Sequence, residues 1–139
     1  MKNLANCKPT EFLQQTVKIK RAAEGWLDAT KILDIRKNTA KIELVNDDMT
    51  EGEKKAVLER NKKARAAQLK ENFSRIFDSV MEENAVKTLE LLALVCFIDP
   101  AEVDSHPIDE YLKAVTEMID NEAVIGFFTS LAKWGLLNT

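Results

Sequence analysis

Glycine and proline are scarce here, four and three in 139 residues. Glycine-rich phosphate loops and the many tight turns of a β-sandwich both need them, so their scarcity disfavours both. One histidine and two cysteines leave little material for an imidazole or thiolate metal cage. Cys7 lies near the amino terminus and Cys96 inside an apolar run. Their spacing would permit a disulfide, but two such cysteines fit reduced cytosolic thiols better. Long hydrophobic runs are also missing. The longest, Leu91 to Ile98, has eight residues, too short to span a bilayer. Met1 to Pro9 lacks the apolar centre of a secretory signal. The expectation is a cytoplasmic protein with no membrane segment.

What is present is helix-forming material, rich in Ala, Leu, Glu and Lys. With 45% apolar and 31% charged residues, the chain reads as one soluble domain, 1–139, long enough to bury a core. The net charge of −3 hides an uneven spread. Residues 1–50 carry nine Lys/Arg against seven Asp/Glu, residues 51–70 seven against three, and residues 71–139 four against thirteen. Opposite charges in separate segments allow matching within or between molecules, although a solvated surface is the plainer reading.

Periodicity gives an all-α chain, a compact bundle of about five to six helices around one long, charged central helix. In segment 1–37, Pro9 suits a first helical position, and Phe12, Thr16, Ile19, Ala23 and Trp26 share one face. Gly25 either ends this helix or weakens it. Leu27, Ile32, Leu33 and Ile35 continue a second short pattern, closed by Arg36 and Lys37. Segment 38–50 is a connector: Ile42 to Val45 resembles a strand, but nothing strand-like exists to pair with it. Thr50 and Glu53 have capping-box spacing and open the long helix 51–83. Its first half, poor in large apolar residues, should project into solvent or meet a partner. Its second half, striped by Leu69, Phe73, Ile76 and Val80 with Phe77 alongside, should dock on the core.

Segment 84–139 holds the apolar helices. Asn84 can cap the first, which ends by Asp99-Pro100. The next opens at Ser105-His106-Pro107, with an expected stripe of Ile108, Leu112, Val115, Met118 and Ile119. Asn121 begins the last, with Phe127, Phe128, Leu131 and Trp134 as its bulky members and Gly135 as a natural stop. Helices with so little polar face must be covered by other elements or by a partner.

Chemistry is hard to find. His106 has no cysteine or carboxylate at a diagnostic spacing and reads as a capping or surface residue. The acids Asp99, Glu102, Asp104, Asp109 and Glu110 lack the alternating ligands and turn glycine of a calcium loop. No G-x-S-x-G, P-loop or dinucleotide fingerprint is present. No enzyme, catalytic residue, cofactor or metal is expected. The basic stretch 54–70 is the best nucleic-acid candidate, with Lys62, Lys63 and Arg65 at its centre. Interspersed acids and the absence of aromatics before Phe73 favour a solvated face, so nucleic acid is disfavoured. Partner-binding candidates are Trp26, Phe73, Phe77, Phe127, Phe128 and Trp134, because aromatics dominate interface energetics. Adjacent helical positions point about 100° apart, so Phe127 and Phe128 should hardly serve one face.

Phe12…Thr16…Ile19…Trp26…Thr30…Ile32…Ile35-Arg36-Lys37, the long charged helix, Leu91 through Asp99-Pro100 and the closing Phe127-Phe128-Thr129-Ser130-Leu131 together resemble small phage and prophage proteins. The family is that of tail assembly chaperones from Gram-positive hosts. The resemblance implies an all-helical protein of the host cytoplasm that binds the tape measure protein, and tail tube subunits, during tail building. It further implies absence from the finished virion, with a longer form often made by frameshifting. Homo-oligomerisation is compatible with it. The runner-up is a small DNA-binding or regulatory phage protein using helix 54–70, and a third reading is a tail-completion protein.

Overall fold

A computed structural model describes residues 1–137, with side chains through Trp134; positions 138–139 of the predicted apolar segment lie outside the described residues. The chain is all-α: 76% is helical, and the described residues contain no strand. In order come α1 (Pro9–Thr30), α2 (Ile32–Arg36), α3 (Glu51–Asp78), a π-helical turn (Ser79–Glu83), α4 (Ala85–Val95), a 3-10 turn (Pro100–Ser105), α5 (Ile108–Ile119) and α6 (Glu122–Leu137). Residues 42–45 are irregular, as a connector should be. No helix among the described residues is long and apolar enough to cross a membrane.

Local chemistry accounts for several helix ends. Thr50 Oγ1 accepts the Glu53 N–H at 3.1 Å, and the Glu53 carboxylate accepts the Thr50 N–H at 3.4 Å, which completes the predicted capping box. α1 runs through Gly25, where the backbone is helical, and stops at Lys31, whose φ of 57° is left-handed. α4 stops earlier than predicted. Phe97 turns left-handed at φ 58°. Its N–H reaches Leu94 O at 3.2 Å and the Ile98 N–H reaches Ala93 O at 2.9 Å, a Schellman closure made by a bulky residue where glycine is usual. α6 continues through Gly135, the expected stop, to Leu137.

The chain divides into two packed units. One comprises residues 1–26 and 86–139, the other residues 27–85. In the first, Val95 and Cys96 meet Tyr111 and Ala114 of α5, with Ile19, Leu92 and Met118 packed around them. The predicted α1 face is the one turned inward, with Phe12, Thr16, Ile19, Ala23 and Trp26 all half-buried. Gln15 joins them and donates to Leu94 O at 2.6 Å. α5 corrects the expectation. Val115 and Met118 are half-buried as predicted, but Ile108, Leu112 and Ile119 are 55%, 53% and 56% exposed. Tyr111 takes the inward position because its ring is the largest apolar body on the helix and its hydroxyl finds the Val103 carbonyl at 2.8 Å.

The second unit has a polar interior. α3 buries Val57, Asn61 and Asn72, and the π-helical turn that follows it buries Ser79. Asn61 Oδ1 accepts the Glu43 N–H at 2.8 Å while its Nδ2 donates to Glu43 O at 2.9 Å, the exchange a neighbouring strand would make. Asn72 Nδ2 donates to Asn38 O at 2.9 Å, and Gln68 Nε2 braces Asn72 Oδ1 at 2.9 Å. Ser79 Oγ donates to Thr30 O at 2.8 Å. The predicted docking stripe is therefore corrected. Ile76 and Val80 are half-buried, while Leu69, Phe73 and Phe77 are exposed. The reason is chemical: irregular backbone carries unpaired N–H and C=O groups, so the helix face against residues 38–43 has to offer amides.

Candidate functional site

In the first unit, the Phe12 ring on α1 lies 5.3 Å from that of Phe127, edge to face, and 6.2 Å from that of Phe128, nearly stacked. Phe127 and Phe128 are 5.4 Å apart. This departs from the expectation that Phe127 and Phe128 should hardly serve one face: both rings meet Phe12. A flat ring set across the arc between two neighbouring positions touches both. The packing is incomplete, since Phe127 and Phe128 stay 39% and 37% exposed. Val124 is the one buried residue of α6 among its described side chains, and Ile125, Leu131 and Trp134 stand open at 48%, 43% and 62%. α6 is thus held along its first turns, and Leu131 and Trp134 offer apolar surface beyond them.

Trp26 plays another part. It is half-buried, and its indole N–H donates to Thr88 Oγ1 at 2.9 Å. It lines a shallow cleft with Lys18, Arg21, Lys87 and Glu90. Phe73 and Phe77 belong to the second unit, one helical turn apart on α3, with ring centroids at 6.2 Å. The six aromatic candidates are therefore divided, four in the first unit and two in the second.

His106 Nδ1 sits 2.7 Å from Glu110 Oε2 across the first turn of α5, and its ring meets the Tyr111 ring edge-on. That pairing makes it a helix-start residue. Cys7 and Cys96 are free thiols. Burial pushes the Cys96 thiol up, the opposite of what a nucleophile needs. Beside Glu43, the Arg60 guanidinium at 2.6 and 3.2 Å holds the carboxyl below its ordinary range. Among the described residues no cluster of three or more His, Cys, Asp or Glu side chains could hold a metal ion. Lys62, Lys63 and Arg65 are exposed on α3, and none has an ion-pair partner among the described residues.

Sequence reasoning missed the amide row of α3. Asparagine is a poor helix former that competes with the helix for backbone partners. Asn61 and Asn72 inside a run of Ala, Lys and Leu were the available signal. No protein-family model, curated protein or solved structure matches this chain.

Proposed function

We propose that this protein is a non-enzymatic assembly chaperone or adaptor that shelters an amphipathic helix of a partner on α6. One observation carries the reading: Leu131 and Trp134, three residues apart and so on one side of the helix, stand open on α6, whose first turns are anchored by Val124 and the phenylalanine trio. A fixed apolar helix facing solvent is what helix-in-groove recognition uses. Aromatic and aliphatic anchors of this size supply most of the energy of such contacts. From the resemblance of its segments, the partner in this reading is a tape measure protein, with tail tube subunits as a second client, met in the host cytoplasm.

The test is co-expression with a tape measure protein encoded beside this chain. The client should remain soluble and copurify. Leu131→Asp with Trp134→Asp should abolish copurification while leaving the helical circular dichroism unchanged, because both side chains are exposed. A client that neither binds nor gains solubility would sink the reading.

A second reading rests on Lys62, Lys63 and Arg65, exposed without an ion-pair partner among the described residues. It makes the chain a small DNA-binding or regulatory phage protein. Binding should then weaken steeply with salt, and neutralising the three cations should flatten the slope by about three. No gel shift at low salt removes it.

A further inference from the structure

We infer that the groove between α1 and α4 is a nucleotide-binding site, with the base against Trp26 and the phosphates on Lys18, Arg21 and Lys87. Gln15 of α1 reaches Leu94 of α4 and Trp26 reaches Thr88, so the two helices run antiparallel. Helical spacing places positions 18, 21, 25 and 26 on one side of α1, and positions 87 and 90 on one side of α4. Together they wall a cleft of about 400 Å³, within the roughly 300–1,000 Å³ of small-ligand sites. Nothing lies within 4 Å of a Cβ added at Gly25, so the cleft has room beside the tryptophan. The Trp26 ring is held from α4 by the 2.9 Å bond of its indole N–H to Thr88 Oγ1.

Charge singles the groove out. Over residues 1–26 and 86–139 the first unit has eight Lys/Arg against eleven Asp/Glu. Three of those cations line this one cleft, and a single acid, Glu90, joins them. Lys18, Arg21 and Lys87 are exposed and have no ion-pair partner among the described residues, and the neighbouring Glu24 is taken by Lys20 at 2.6 Å. An unpaired guanidinium among ammonium groups suits phosphate. An aromatic ring beside them suits a base, because every base has a face to stack. Arg21 lies about 7.5 Å from Trp26 along the helix axis, the reach of one nucleoside from base to phosphate. Glu90 repels phosphate and accepts from hydroxyls, which assigns it to the ribose. The cleft is shallow, so the expected dissociation constant is on the order of 100 μM. This inference stands apart from the holding role of α6 and from the basic stretch 54–70.

Trp26 and Trp134 are the two tryptophans, so in a Trp134→Phe background the emission reports the cleft alone. ATP titrated into that full-length variant should quench the emission saturably. In competition with ATP, inorganic tripolyphosphate and adenosine should each bind at least about tenfold more weakly, since each carries part of the recognised chemistry. Arg21→Glu with Lys87→Glu should abolish the quench, and Lys113→Glu, outside the cleft, should leave it unchanged. Gly25→Leu, placed where an added Cβ meets open space, should block ATP while the helical circular dichroism is retained. A strand of about eight deoxyadenosines separates the two sources of a nucleotide. Quenching at lower concentration than ATP marks a single strand, and at higher concentration a free nucleotide. No quench by either, tripolyphosphate binding as tightly as ATP, or a quench that survives Arg21→Glu with Lys87→Glu would overturn the inference.

Discussion

Lys31 and Phe97 are the two non-glycine residues at positive φ among the described residues, and each ends a helix. A left-handed conformation costs an L-residue roughly 1–2 kcal/mol. Lys31 is exposed, so Lys31→Gly relieves the strain without losing packing. After allowing for the extra entropy of glycine in the unfolded chain, the protein should gain about 0.5–1 kcal/mol, measurable by urea denaturation. Phe97 differs because its ring carries the Lys2 ammonium 5.5 Å from its centroid. Gly25 is the converse case. It sits inside α1 with nothing within 4 Å of an added Cβ, so Gly25→Ala should raise stability by about 1 kcal/mol, seen as a higher thermal midpoint. The capping box at Thr50 was legible in the sequence because it joins residues three apart. The left-handed stop at Lys31 was not, since no glycine or asparagine marks the position.

At the scale of the element, α3 carries two rows on opposite sides. One is amide (Asn61, Gln68, Asn72) and is continued by Ser79 of the π-helical turn; the other is apolar (Leu69, Phe73, Phe77). Periodicity predicted that the apolar row would turn inward. It loses because α3 packs against irregular backbone, whose hydrogen-bonding groups need side-chain partners, and aromatic rings supply none. Asn61→Ala removes both bonds to Glu43 and leaves its N–H and C=O unpaired, which should cost about 2–3 kcal/mol in chemical denaturation. Asn61→Leu should do no better, since greater apolar burial cannot replace the lost pairing. A variant as stable as the wild type would show that these bonds are dispensable. In α5 the interior was likewise legible only in part: Val115 and Met118 face inward as predicted, but the choice of Tyr111 over Leu112 depends on the Val103 carbonyl that receives its hydroxyl.

At the scale of the whole molecule, the composition, with its few glycines and prolines and its helix formers, already named the all-α class. Alkaline stability is a property of the folded core. Burial raises both the Cys96 thiol and the Tyr111 hydroxyl above their ordinary values. The unfolded chain therefore loses these protons first, and their contribution, complete below the ordinary thiol value, declines as pH rises through the folded ones. Stability should fall from about pH 8.5 upward, and Cys96→Ala should flatten the early part of that fall in pH-dependent denaturation. Equal slopes for the two proteins would contradict the assignment. What the sequence by itself determined is where the helices lie and how several of them begin, because caps, prolines and propensities act over three or four neighbouring residues. What only the tertiary structure decided is which face of each helix is hidden, because that depends on whether the neighbouring segment presents side chains to bury or backbone groups to satisfy.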